Sequence, residues 1–276
     1  MRANFYDILS SHSRAYPKMT AEDYYILAYE SEFGRVYDGD DDTDALLNEL
    51  KPIKSDALEP FTVSIGGGYA RLNLSPIKPY LSSHNILSLM ALATKEGSGE
   101  GLDRKLSLIR RSGIMGILPK SACGADKFSG QISHSAVYKR LYGTAYRIIS
   151  VETAPIVPAL CLISEALGKA EKVSVALDGR KASGKSYACK VISEVFDTEI
   201  ETGNLTITDE FGSFGSLRNY DIKLYFDTDE ESRRSRIVLA DGEIALSKYE
   251  SEIRPNEDTY IEKFEPALSC DLVIRT

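Results

Sequence analysis

The sequence predicts two domains: an N-terminal α+β domain over residues 1–170, and a minimal C-terminal α/β domain with a parallel sheet over 171–276. Three observations predict it. The chain has 276 residues, against a typical domain of about 150. Its composition, 43% hydrophobic and 27% charged, supplies real cores and little low-complexity sequence. The charged stretch Lys169-Ala170-Glu171-Lys172 ends a region of mixed helix, strand and glycine-turn signals and precedes a strand–loop–helix series.

Charge and cysteine usage exclude several functions. With 33 basic and 41 acidic side chains, a formal net charge of -8, nonspecific attraction to nucleic acid or anionic lipid is disfavoured. Neither is expected as a partner. The longest apolar stretch, Ala154 to Ile163, is interrupted by Pro155 and Pro158 and falls well short of the about 20 residues a bilayer requires. The start shows no signal-peptide pattern. Cys123, Cys161, Cys189 and Cys270 are far apart, without a CxxC pair or a histidine at ligand spacing, so reduced, buried thiols are expected. These features point to a soluble, cytoplasmic protein.

In chain order, Thr20 with Asp23 three residues later forms a capping signal for a helix through Tyr24, Leu27 and Ala28 toward Phe33, which Gly34 ends. The acidic run Asp38 to Asp44 fits no EF-hand spacing and reads as a solvated, helix-capping stretch before a short helix, Ala45 to Leu50. Alternating β-formers from Phe61 to Ile65 and from Tyr69 to Leu74 flank Gly66-Gly67-Gly68, the pattern of a hairpin. Helices are expected over Ile86–Ala93 and Leu102–Ser112, another after His134-Ser135, a strand over Tyr146–Val151, and a helix from Pro158 to Leu167.

The chemistry-bearing segment begins at Val173. Val173 to Leu177 is a buried-strand run, and Tyr187 to Phe196 has helical periodicity. Between them, Gly179-Arg180-Lys181-Ala182-Ser183-Gly184-Lys185-Ser186 satisfies G-x-x-x-x-G-K-[ST] in its required context. Such a loop turns backbone N–H groups around phosphate at the positive end of a helix. Lys185 is expected to reach the β- and γ-phosphates, and Ser186 to ligate magnesium. The predicted nucleotide-binding set therefore runs from Gly179 to Tyr187.

These residues, Asp178-Gly179-Arg180 leading into Ser183-Gly184-Lys185-Ser186, resemble the P-loop of uridine kinases and related small-molecule kinases. So do Asn219 to Asp227 as a late sheet strand, Arg236-Ile237 with Asp241-Gly242 as the lid helix, and Ser269 to Ile274 as a closing strand. The likeness covers Lys172 to the C-terminus. Upstream, Ser31 to Gly34 and the run from His134-Ser135 through Tyr138, Tyr142 and Arg147 are similar to a segment that precedes such domains in some bacterial proteins. The resemblance implies a P-loop NTPase sheet, ATP with Mg2+, and phosphoryl transfer to a small hydroxylated acceptor, in the manner of a nucleoside kinase.

The departures define what is missing. Only Asp197 to Asn204 separates the loop helix from the strand Leu205–Thr208, which leaves no room for the acceptor-binding insertion of those kinases. Asp209-Glu210 follows that strand at a Walker-B-like position, and either acid suits a magnesium ligand or a base. The basic lid position is Ala240. Arg233, Arg234 and Arg236 either substitute for it, with Arg236 the candidate, or form a solvated face with Asp229, Glu230 and Glu231. His134, Tyr138 and Arg147 are the candidate acceptor residues of the N-terminal domain, with Tyr142 beside them. Three functions follow: a magnesium-dependent small-molecule kinase, a degenerate kinase that binds nucleotide as a regulator, and a nucleotide-gated protein-interaction module.

Overall fold

The computed structural model describes residues 4–34, 43–55, 59–93, 98–113, 134–142, 145–197, 203–215 and 218–276. The acidic run up to Asp42, Cys123 and the glycine-rich Glu96-Gly97 lie outside them. The chain divides into two compact units, Met1–Ala154 and Pro155–Thr276. The division falls before, and not after, the helix expected from Pro158, because that helix packs on the first strand of the second unit.

The first unit carries helices α1 (Phe5–Ala15), α2 (Ala21–Phe33) and α3 (Thr43–Leu50), strands β1 (Thr62–Gly66) and β2 (Tyr69–Asn73), helices α4 (Leu74–Ile77), α5 (Ser83–Ala91), α6 (Gly99–Arg111) and α7 (Ala136–Tyr142), and strand β3 (Tyr146–Ser150). The strands form one antiparallel sheet in the order β1-β2-β3. Thr20 and Asp23 form the expected capping box on α2, and Gly66, Gly67 and Gly68, all at positive φ, turn the hairpin. A side chain at Gly67 would strike the Ser31 carbonyl oxygen at 1.7 Å, so glycine there permits close approach of the hairpin to α2. The core combines Ile8 and Leu9 of α1, Tyr24, Leu27 and Ala28 of α2, Ile65, Tyr69 and Ile148 of the sheet, and Leu102 and Ile109 of α6.

The second unit is mixed α/β. Helix α8 (Val157–Leu167) leads to β4 (Val173–Gly179), α9 (Lys185–Phe196), β5 (Leu205–Thr208), β6 (Ile222–Asp227), α10 (Glu230–Asp241), α11 (Glu243–Lys248), a π-helical turn (Tyr249–Ile253), α12 (Arg254–Phe264), α13 (Pro266–Ser269) and β7 (Leu272–Arg275). The four strands of the described residues form an all-parallel sheet in the order β5-β4-β6-β7, flanked by helices. Strand β4 is buried at six of its seven positions, as expected where both faces of a parallel sheet are covered. Strand β5 is shorter and pairs only with Val173 to Ala176, so β4 projects beyond it at its carboxyl end. Among the described residues no helix is long and apolar enough to cross a membrane.

Candidate functional site

The carboxyl end of β4 turns into α9 through residues 179–186, and the conformation of this turn follows from its sequence. Gly179 has φ +144°, Ala182 +61° and Gly184 +101°. A Cβ at Gly179 would lie 2.6 Å from the Phe226 carbonyl oxygen of β6, so only glycine fits against the neighbouring strand. Two of the loop carbonyls are held by side chains outside the loop: Thr228 and Thr276 hydroxyls each donate to Ser183 O at 3.0 Å, and an Arg236 N–H donates to Ala182 O at 3.1 Å. Positive φ at Ala182 and Gly184 is the kind of backbone from which anion-binding concavities are built. The helical ladder starts at the Ala188 N–H to Gly184 O bond, 3.0 Å, so the amides at the head of α9 lie ahead of it.

Two side chains of the loop face acids. Lys185 Nζ donates to the carbonyls of Gly179 and Arg180. Burial pulls its ammonium below the usual lysine value, and Asp178, Glu257 and Asp209 oppose that pull. Ser186 Oγ donates to Asp209 Oδ2 at 3.2 Å. Asp209 directly follows β5, beside β4, and Glu210 is exposed, so the pair left undivided by the sequence is divided here in favour of Asp209. A hydroxyl and a carboxylate meeting at an exposed mouth suit a small oxygen-preferring cation that takes its other ligands from phosphate and water. Among the described residues no group of three or more His, Cys, Asp or Glu could hold a metal by itself.

Sequence reasoning missed the groups that fix the loop from below. Asp178 is fully buried. Its carboxylate accepts from Gly179 N at 2.7 Å, Gly212 N at 3.2 Å, Phe214 N at 3.4 Å and the Tyr260 hydroxyl. It thereby pins the segment that carries Asp209 to the end of β4. Burial and this bond to Asp178 push the Tyr260 phenol well up. Glu257 of α12, 2% exposed, accepts from Lys181 N and from the Tyr249 hydroxyl, each at 2.7 Å. Tyr249 in turn accepts from Arg233, whose Nε–H donates to Thr228 O at 3.3 Å. A continuous chain thus runs from one side of the loop, at Ser183, to the other, at Lys181.

The basic residues of this region are engaged with acids. Arg180 pairs with Asp258 at 2.5 Å and Glu257 at 3.5 Å, Lys181 with Asp241 at 3.6 Å, and Arg234 with Glu250 at 2.5 Å. Arg236, the candidate lid arginine, bonds the Ala182 carbonyl of the loop and the Thr276 hydroxyl. Tyr187, at the head of α9, is exposed.

Of the candidates in the first unit, the structure joins two and separates the third. His134 and Tyr138 stack with ring centroids 3.9 Å apart. Arg147 pairs instead with Glu49; it follows Tyr146 in β3, and successive strand residues face opposite ways. His134 belongs to a buried network. Its Nδ1 meets Asp23 Oδ1 at 2.9 Å and its Nε2 meets the Tyr146 hydroxyl at 2.6 Å. Tyr146 donates to Glu30 at 2.5 Å. Arg71 donates to Glu30 at 2.8 and 3.1 Å and to the Tyr138 hydroxyl at 2.9 Å. Burial alone would raise the Asp23 carboxyl, but bonds from His134, Thr20 and Ser135 hold it well below the carboxylate range. Burial pushes the Tyr138 phenol up to about 12 against the pull of Arg71.

Comparison with protein-family models, with curated proteins and with solved structures returns no match.

Proposed function

We propose that the second unit binds a nucleoside triphosphate with Mg2+ at Gly179–Ser186, as a P-loop domain resembling those of uridine-kinase-like enzymes, and that its activity is phosphoryl transfer to a small hydroxylated metabolite. One observation carries the reading: the Ser186 hydroxyl meets the Asp209 carboxylate at 3.2 Å beside a turn with positive φ at Gly179, Ala182 and Gly184. Ser186 and Asp209 would hold the cation, and the loop amides with Lys185 would hold the phosphates. The bound ion would supply charge neutralisation at the terminal phosphate. The chain's own part is positioning. Asp178 sets the height of Asp209 against Ser186, and Thr228, Thr276 and Arg236 hold two of the loop carbonyls.

A second reading, nucleotide binding without transfer, is favoured by the placement of the arginines. Arg233 bonds Tyr249 and Thr228, Arg234 pairs with Glu250, and Arg236 is engaged with the Ala182 carbonyl. None of the three stands where it would neutralise a moving phosphoryl group.

Titration calorimetry with MgATP tests binding. Lys185→Ala is expected to weaken triphosphate affinity by about a hundredfold, the scale of one or two charge-assisted bonds, and diphosphate affinity by less. Equal affinities for the two proteins would sink the reading. ATP consumption followed across nucleosides, sugars and vitamin precursors then separates the alternatives. Stimulated turnover that falls with Lys185→Ala identifies the kinase, and tight binding without turnover identifies the regulator.

A further inference from the structure

A nearly fully buried acid of α12, Glu257, stands against the phosphate-type loop itself. We propose that Glu257 makes this loop selective for metal-complexed triphosphate, because its fixed carboxylate repels an uncomplexed polyphosphate and is tolerated only when a divalent cation offsets the ligand's charge. The inference rests on the nucleotide-binding reading above and adds to it the charge state of the ligand and the residue that selects it.

Glu257 cannot easily withdraw. One carboxylate oxygen accepts the Lys181 amide at 2.7 Å, and the other accepts the Tyr249 hydroxyl at 2.7 Å. Tyr249 is buried and bonded to buried Arg233. A glutamate on a free surface would turn toward water when an anion arrived; this one is held through both oxygens by groups that are themselves fixed.

Among the described residues most of the nearby positive charge is shared with acids, the exception being Arg236, which bonds the Ala182 carbonyl and the Thr276 hydroxyl. Lys185 is the one cation the motif sends to the terminal phosphates, and it faces Asp178, Asp209 and Glu257 together. Arg180 is shared between Glu257 and Asp258, and Lys181 is paired with Asp241. Recruiting Arg180 toward phosphate would leave the buried Glu257 without its cation, whereas the Lys181–Asp241 pair is exposed on both sides. A bare triphosphate therefore enters a cradle whose hydrogen-bond geometry favours it and whose surrounding carboxylates oppose it. Of those carboxylates, Asp209 suits the cation, and Asp178 is occupied by four donors. Glu257 is the one that meets the loop on its Lys181 side with no cation to serve.

The test uses the full chain, with ATP and inorganic tripolyphosphate as probes, each with Mg2+ and with EDTA, read by calorimetry. Glu257→Gln keeps an oxygen for the Lys181 amide and removes the charge. It is expected to raise metal-free tripolyphosphate and ATP affinity by about tenfold or more, the effect of one like charge at close range in a partly shielded site. MgATP affinity should change by less than about threefold, because the complexed ligand carries less charge. A structural role for Glu257 would shift stability and leave the ratio of the two affinities where it was. That unchanged ratio overturns the proposal while the nucleotide-binding reading stands. Should Glu257→Gln fail to fold, the unaltered chain decides: tripolyphosphate must bind at least about a hundredfold more weakly in EDTA than with Mg2+, and equal binding overturns the proposal. Absence of any MgATP binding by the unaltered chain overturns both readings together.

Discussion

Both units bury an arginine, a glutamate and a tyrosine in one hydrogen-bonded network, yet the two networks end differently. In the first unit Arg71, Glu30, Tyr146, His134 and Asp23 bond to one another, and the ends of the network close on Thr20 and Ser135 at the starts of α2 and α7. In the second, Arg233, Tyr249 and Glu257 end on backbone groups of a loop, Thr228 O next to Ser183 and the Lys181 amide. The same chemistry serves two purposes. The first, ending on the residues that open two helices, ties helices to sheet. The second, ending on loop residues, specifies the shape of a turn beside Lys185 and Ser186.

The comparison breaks most visibly at Arg71. Arg71→Met strands Glu30 at 1% exposure, and removing one partner of a buried pair costs about 3–5 kcal/mol. Denaturant unfolding followed by hydrogen exchange should place that loss in the first unit. A loss below about 1 kcal/mol would mean that the network contributes little to packing.

Acid sharpens the same contrast. His12, 2% exposed, is held down to about 4 by burial and by the charge of Arg71. The folded state therefore favours neutral histidine. Its stabilisation is complete above the unfolded value near 6.5, falls as pH drops through the window to about 4, and amounts to about 3 kcal/mol across it. Asp23 acts in the same direction at still lower pH, since its folded value is depressed. Stability of the first unit measured between pH 7 and 4 should follow this slope, and His12→Leu should flatten it.

In the second unit Tyr260→Phe removes one of four donors to Asp178. The expected cost is about 1.5–2 kcal/mol, that of a hydrogen bond to a charged group whose other partners remain, measured by calorimetric unfolding. Magnesium-dependent nucleotide binding should weaken along with it, because Asp209 loses part of its anchor. The smallest effect belongs to Arg147→Ala. Its partner Glu49 is 41% exposed, and an exposed pair contributes about 0.5 kcal/mol. A large loss there would restore Arg147 as a functional candidate.

What could be read from the chain beforehand was local. The capping box at Thr20 and Asp23, the glycine hairpin and the strand–loop–helix at 173–196 all rest on residues close together in the chain. The short connection from Asp197 to Asn204 was legible too, since it is eight residues long. Glu257 meets Lys181 across 76 positions and Tyr260 meets Asp178 across 82, and no periodicity signals either. One clue was available for Arg71. It lies between Ala70 and Leu72 in a strand buried at every position, where an arginine needs a buried acid. Arg147 and Arg236 show a related limit: side-chain type suggests a role, but packing decides which partners an arginine meets, here Glu49 and the Ala182 carbonyl.

The π-helical turn at Tyr249–Ile253 has a consequence for how this chain tolerates change in length. Tyr249 and Glu257 are eight residues apart, and two turns of regular helix take about 7.2, so in an unbroken α-helix Glu257 would lie about 80° away from Tyr249 around the axis. The wider turn absorbs roughly that surplus and brings the two onto one side, where they bond at 2.7 Å. A single-codon deletion between Glu250 and Ile253 would leave every named side chain in place. It would also relax the turn to regular helix, in which the two residues, now seven apart, lie within about 20° of one side, so the Glu257 bond tolerates here a shortening that would swing it about 120° away in a helix built without the wider turn.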